Sequence, residues 1–287
     1  MKIALYDMDN TKFPNLALMK ISSFHKSKGD DVVWYEHLFS EDYEKVYCSK
    51  VFSFSNSDEA FGNIEKGGTG FSLTKVLPDQ IEHISPDYSL YDLDYSLGFT
   101  TRGCPNQCSF CIVPEKEGSI KEHASIDEFL KHDKVVLMDN NILASDHGIK
   151  ELEKLSNLNV KVDINQGLDA RLIDNSIAKL LSKINWLNPL RMACDSQNQI
   201  KHIQKATTLL RWNNVTPRRY FVYCLIRDIE ESLERIKFLK GMDLDVFAQP
   251  YRDFKNNKEP TYNQKNIARW VNHKAIFKTT TFEEYTA

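Results

Sequence analysis

Short apolar runs alternate with stretches whose apolar positions recur at helical spacing, and this alternation is most regular from residue 97 onward. Strand candidates there are "LGFTTR", "KVVLMD", "VKVDINQ", "PLRMACD", "RRYFVYCLI" and "LDVFAQPY". Helical patterns separate them at 126–132, 147–155, 175–184, 197–212 and 229–240, and another follows the last strand at 263–272. Each strand is apolar enough to be covered on both faces, as parallel strands are. Six such β/α units predict a partial barrel open on one side. A closed eight-unit barrel needs about 250 residues, more than remain. In this architecture chemistry belongs at the carboxyl ends of the strands.

The first 60 residues read differently. "KIALYD" (Lys2–Asp7) is a buried-strand pattern, 15–28 a helix ended by Gly29, and "DVVWYE" and "KVYCSKVFSF" are further strands. This predicts a small open α/β unit. Residues 56–96 hold the glycine-rich "GNIEKGGTGF" and a polar, proline-containing stretch, read here as a connection with little regular structure. The expected division is 1–90 for the small α/β domain with its connection, and 91–287 for the barrel with a C-terminal helix and tail.

Composition adds bounds. Of 287 residues, 41% are hydrophobic and 27% charged, ordinary for a globular protein. No apolar run is long enough to span a bilayer, so no membrane association is expected. The start lacks a basic n-region, a long apolar core and a small-residue cleavage site, so the expected compartment is the cytoplasm, where thiols stay reduced. The net charge of −3 offers no global argument for nucleic acid.

Candidate chemistry sits in "GFTTRGCPNQCSFC". Cys104, Cys108 and Cys111 follow the first barrel strand directly, at the functional end of the predicted barrel. Three readings compete. A structural zinc site needs a fourth ligand, for which His123 or His132 are the nearby candidates. A dithiol pair of Cys108 and Cys111 leaves Cys104 unexplained. A [4Fe–4S] cluster with three cysteine ligands leaves one iron open.

The segment "CPNQCSFC" resembles the cluster motif of the radical S-adenosylmethionine superfamily, C-x3-C-x2-C with an aromatic, Phe110, before the last cysteine. The resemblance covers roughly residues 97 to 251. It implies that the open iron chelates the amino and carboxylate groups of S-adenosylmethionine. Reductive cleavage then gives a 5′-deoxyadenosyl radical that abstracts hydrogen from a substrate. It also implies a reductant such as flavodoxin or ferredoxin. The substrate is not legible.

Further site residues are expected by the same resemblance. A Gly-Gly-Glu-like segment usually holds the methionine ammonium after the second strand; here Asp139, Asn140 and Asn141 stand in its place. Their acceptor oxygens suit an ammonium, and they equally suit a helix-entry cap. At the end of the third strand "DINQGLDAR" crowds Asn165, Gln166, Asp169 and Arg171, and the fourth carries Arg191 and Asp195. In the superfamily such residues contact cofactor ribose and carboxylate; an Arg–Asp pair inside the barrel is the structural alternative. Gln249, Tyr251 and Arg252 follow the last strand, where a substrate would lie. Cys48, Cys194 and Cys224 read as core. In the tail, Lys265, Arg269, Lys274 and Lys278 interleave with Trp270 and Phe277, the pattern of a docking helix with snorkelling cations or of a nucleic-acid grip.

The N-terminal unit resembles the Rossmann-like domain preceding many radical enzymes. Cobalamin-dependent members usually carry Asp-x-His-x-x-Gly, which is missing before residue 97, so no cobalamin is expected. The methylthiotransferase branch adds three cysteines there, and only Cys48 exists. "LYDMDNT" also resembles the first motif of haloacid-dehalogenase phosphotransferases, with Asp7 as nucleophile and Asp9 as acid/base. "EKGGTGF" (Glu65–Phe71) reads as a lid or a phosphate nest.

Overall fold

The computed structural model describes residues 1–55, 59–215, 220–253, 256 and 258–285. Four strands form the first sheet: β1 (Lys2–Asp7), β2 (Asp31–Trp34), β3 (Lys45–Ser49) and β4 (Ile64–Gly67). They pair in parallel in the order β2-β1-β3-β4. The helix Leu16–Ser27, capped by the Asn15 side chain on Leu18 N at 3.3 Å, covers one face. Leu18 packs there on Ile3 and Leu5, all three fully buried. Burial of each contributes about 1.5–3 kcal/mol. The other face buries Ala4, Val46 and Cys48 against Tyr35 and Tyr43.

Strand β4 corrects the expectation of an irregular glycine-rich loop. Its register against β3 runs from Val46↔Ile64 to Ser49↔Gly67. With Ile64 as its one large hydrophobe, four residues are too few to show a strand period. Gly68, at φ +93°, then passes so near Lys50 that a Cβ would stand 2.3 Å from its carbonyl oxygen.

The second part begins with β5 (Ser96–Gly98). A hairpin of β6 (Thr101–Arg102) and β7 (Lys121–Glu122) interrupts the series before β8 (Lys134–Leu137) and β9 (Lys161–Ile164). Next come the short β10 (Asn185–Trp186), then β11 (Leu190–Ala193), β12 (Tyr220–Ile226) and β13 (Asp245–Pro250). One sheet is ordered β10-β9-β8-β5, the other β11-β12-β13. A parallel bridge between Leu168 and Met192 joins the end of the β9 segment to β11. Strands β5, β8, β9, β11, β12 and β13 thus follow one another in chain order, all parallel, as an open barrel of six. Arg218 and Arg219, the expected start of β12, lie outside the described residues.

Helices Asp146–Asn157, Asn175–Lys183, Ile200–Trp212, Ile229–Gly241 and Tyr262–Asn272 cover the outside. Their inner faces, including Leu152, Leu155, Leu181, Leu210, Leu239 and Val271, merge with the strands into one core. The tail docks by this means: Trp270 and Phe277 are buried ring to ring at 5.0 Å. The expected helix at 126–132 is only a 3-10 turn, Ile126–Glu128. The Glu151 carboxylate captures Ile126 N at 2.7 Å, and the chain turns straight back toward β8.

Between the two parts, Glu82 accepts from Lys20 of the first helix at 3.2 Å and lies 3.1 Å from His123 Nε2 beyond β7. Burial alone would raise the Glu82 carboxyl, but His123 and Lys20 outweigh it and hold it down to about 2. A depressed carboxylate stabilises the fold above its unfolded pKa and loses that contribution as pH falls through its folded value. The window here is pH 4.5 down to about 2. Allowing for partial solvent screening, the contribution is on the order of 2 kcal/mol. Glu82→Gln is therefore expected to flatten the acid limb of the stability–pH curve in that window. An unchanged acid limb in urea melts taken across it would refute the coupling.

Candidate functional site

The loop that carries the three cysteines begins where β5 ends. The sequence predicts one strand over 97–102, but the chain bends at Phe99–Thr100 and splits it into β5 and β6. Asp139, fully buried at the end of β8, causes the bend. Its carboxylate accepts from Thr100 N (3.0 Å), Thr100 Oγ1 (2.7 Å), Thr101 N (2.5 Å) and Thr101 Oγ1 (2.7 Å). Burial nonetheless leaves the Asp139 carboxyl raised, the four donors only partly offsetting it. Asp139 is thus occupied in shaping the approach to the cysteine loop.

Gly103 makes the next turn, at φ +81°, where a Cβ would meet Ser119 O at 2.2 Å. Its N–H donates to Glu117 at 2.9 Å, Asn140 Nδ2 reaches the same oxygen at 2.8 Å, and Arg102 pairs with the other at 3.2 Å. Asn140 is therefore also a positioning group.

Cys104 lies under two amides, Asn106 Nδ2 at 3.5 Å and Asn141 Nδ2 at 3.6 Å. Both amides also donate to Asp169 Oδ2 at 3.1 Å. Arg171 clamps Asp169 with two bonds of 2.7 Å. Burial would raise Asp169, but Arg171 and Asn106 hold it below the usual carboxylate range. Asp169 thereby ties the cysteine loop, the end of β8 and the segment after β9 together. Asn106, inside the motif itself, and Glu117 were not singled out by sequence reasoning.

Burial raises both the Cys108 and the Cys111 thiol; the charges of Cys111 and Cys104 add to it at Cys108, and that of Cys104 adds to it at Cys111. A cationic group among the sulfurs would remove that opposition. The spacing predicts three converging sulfurs, and in this respect the structure differs. Among the described residues no three His, Cys, Asp or Glu side chains are gathered to hold a metal ion. Cys111 and Phe110 are exposed, and the loop is held at Cys104 more firmly than at its far end.

Two acceptors nearby are orphaned. Asn141 Oδ1, 3% exposed as a residue, and Asn165 Oδ1 have no hydrogen-bond partner. Buried acceptors without partners cost about 1–3 kcal/mol each, and a cationic donor would satisfy them. Three thiols and unpaired amide oxygens are donor types that an iron–sulfur group with an ammonium-bearing ligand would use, although the thiols are not gathered in this arrangement.

The remaining expected residues scatter. Arg191 forms an ion pair with Asp163, whose other oxygen accepts from Asn188 at 2.9 Å. Asp195 accepts from Leu225 N at 2.9 Å, stitching β11 to β12, and burial raises its carboxyl. Gln166 is exposed. Arg252 pairs with Glu259 at 2.5 Å and stacks 4.9 Å from Phe54, while Tyr251 lies under Arg227. Gln249, Tyr251 and Arg252 do not line the main cavity.

That cavity, about 1570 Å³, opens between the first sheet and the barrel. Asn165, Gln166 and Arg191 form part of its barrel wall, with Asp7, Asp9 and Thr69 across from them. Asp9 accepts from Val51 N, Phe52 N (3.2 Å) and Ser55 Oγ (2.6 Å), and Asp7 from Tyr91 Oη (2.7 Å). Both are spent on holding loops. Burial raises the Asp7 carboxyl.

Fold and site together define an open parallel β/α barrel behind a Rossmann-like sheet, with a cysteine loop after the first barrel strand. Among solved structures it is similar to the cobalamin-dependent S-adenosylmethionine radical enzyme OxsB with aqua-cobalamin and S-adenosylmethionine bound. The identity is 11%, the TM-score 0.50, and the match covers 98% of this chain and 56% of that one. The same enzyme with aqua-cobalamin bound matches at 11% identity and TM-score 0.49, over 96% and 56%. The chain therefore spans little more than half the length of that enzyme, and the likeness is one of fold. No protein-family model and no curated protein matches the chain. Among the described residues no helix is long and apolar enough to cross a membrane.

Proposed function

We propose that this chain is a radical S-adenosylmethionine enzyme. One observation carries the reading: three thiols in the loop after the first strand of an open β/α barrel, with the unpaired Asn141 amide oxygen beside Cys104. Cys104, Cys108 and Cys111 would hold a [4Fe–4S] cluster with one iron open. When bound, that group supplies the electron that cleaves S-adenosylmethionine to a radical able to take hydrogen from a substrate.

The chain's own residues orient and shield. Asn141 offers an acceptor to the methionine ammonium, Asn165 a second acceptor at the neighbouring strand end, and Phe110 an apolar flank. Asp139 and Asn140 fix the approach to the cysteine loop, and Asp169 ties that loop to Asn141. The division near residue 90 follows from the same reading, with the N-terminal sheet closing the cavity over the barrel. The proposal takes its electron from a flavodoxin or ferredoxin and places the enzyme in the reducing cytoplasm. It includes no cobalamin, because no Asp-x-His-x-x-Gly precedes residue 97.

The test is anaerobic reconstitution with iron and sulfide, followed by S-adenosylmethionine and dithionite. Formation of 5′-deoxyadenosine is the expected result. A fully loaded protein that binds the cofactor and yields none would sink the reading.

A further inference from the structure

We infer that Lys116, Arg102 and Thr69 form a subsite for a phosphate group of the substrate, at the wall of the main cavity beside the cysteine loop. The inference deepens the radical reading by naming a substrate class, and rests on that reading only for the word substrate.

Three elements meet there. Lys116 ends the short helix Val113–Lys116 that follows the cysteines, Arg102 ends β6, and Thr69 follows β4 of the first sheet. All three line the cavity. The Lys116 ammonium is half-buried and donates to Thr69 Oγ1 at 2.6 Å. No carboxylate pairs with it among the described residues. Three other cavity lysines are paired, Lys20 with Glu82 and Lys45 and Lys75 with Glu65; Lys28, stacked on Phe24, and the exposed Lys121 are not half-buried against a hydroxyl as Lys116 is.

A cation withdrawn from water without a counter-ion is costly. Here burial and the adjacent Arg102 charge both push the Lys116 ammonium below its ordinary pKa. A bound anion would relieve both pressures. Arg102 is pre-oriented for it, its guanidinium lying 3.9 Å from the Phe99 ring and paired at one nitrogen with Glu117. That carboxylate is shared with Gly103 N and Asn140, and the rest of the guanidinium fork has no partner among the described residues.

Thr69 accepts from Lys116, so its own hydroxyl hydrogen is left to donate. Gly68, which has no room for a Cβ, lets the loop sit on Lys50 and delivers Thr69 to this point. An ammonium, a hydroxyl and a guanidinium drawn from three elements offer more donors than a planar carboxylate uses and suit a tetrahedral oxyanion. The anchored group would leave the rest of the molecule in the cavity, toward Asn165 and Arg191 on the barrel wall.

The test uses the full chain and inorganic phosphate as the probe, with sodium acetate and sodium chloride at matched ionic strength. Phosphate is expected to raise the melting temperature saturably. Lys116→Ala should weaken apparent phosphate binding at least about tenfold. Thr69→Ala should weaken it less, and Lys28→Ala, a cavity lysine stacked on Phe24, should leave it unchanged. If Lys116→Ala does not fold, Lys116→Gln takes its place. No saturable phosphate effect, an effect that survives in the Lys116 variant, or acetate matching phosphate would each overturn the subsite. The titration is run with and without a reconstituted cluster. Failure to load iron sinks the radical reading alone, and loss of phosphate binding with iron intact sinks the subsite alone.

Discussion

Replacing any one of Cys104, Cys108 or Cys111 by Ala is expected to abolish loading of a four-iron cluster. The argument is one of ligand number. The loop offers three sulfurs, and among the described residues no other set of three His, Cys, Asp or Glu side chains is gathered to take over from them. Two thiolates leave two irons without protein ligands, and such a cluster does not survive isolation. Ala at Cys48, Cys194 or Cys224 serves as the control, because each is buried in core. Iron and sulfide per chain, with the brown charge-transfer absorption, are the readouts. A complete cluster in any of the three loop variants would refute the assignment. Stoichiometric zinc with no iron uptake by the unaltered chain would instead support a zinc-stabilised binding protein on this barrel.

The second large effect separates two neighbouring residues. Asp139→Ala strands the N–H groups of Thr100 and Thr101 in a dry site. Each unsatisfied donor costs about 1–3 kcal/mol, so a loss of roughly 2–6 kcal/mol is expected, the two hydroxyls being free to turn elsewhere. The denaturation midpoint should fall sharply, and the cysteine loop should lose its anchor. Asn141→Ala is expected to act differently. Its amide oxygen bonds nothing in the protein and only its Nδ2 bonds, to Asp169 and Cys104, are lost, so a smaller melting loss is expected together with a loss of cofactor affinity. A hydrogen bond to an ammonium contributes about 1.5–3 kcal/mol, or roughly ten- to a hundredfold in Kd. Urea melts and S-adenosylmethionine titrations on both reconstituted variants decide it. Equal melting losses with equal affinities would show that both residues only cap the turn.

These two residues also mark the limit of what the chain discloses by itself. The six barrel strands were legible because each is an apolar run, and the helices because each repeats at helical spacing. The position of the cysteine loop followed from that register. The division of labour within "DNN" did not. Three adjacent polar residues look alike in a sequence, and which one faces Thr100 and which faces Cys104 depends on the pleat of β8. For Arg191 an Arg–Asp pair inside the barrel is one of two readings the sequence allows, without its partner being legible. Its partner, Asp163, stands on the strand before, a pairing set by how β9 and β11 meet. Strand β4 and the loop after it were missed because their identity lies in hydrogen bonds to β3 and in a close approach to Lys50, neither of which leaves a period. Lys116 carried no signal at all: a lysine without a counter-ion is recognisable only once its surroundings are known.

The order of the barrel strands bears on how the protein is made. Each pairs with its predecessor in the chain, so the barrel can grow unit by unit as it leaves the ribosome. Its three exposed or half-buried thiols belong to the first unit. Roughly 130 residues separate Cys111 from β13, the last wall. At about 5–20 residues per second, synthesis takes roughly 7–30 seconds to pass from the cysteine loop to that last wall. In that interval the cysteine loop stands without the later strands around it, and Cys111 stays exposed even when they are in place.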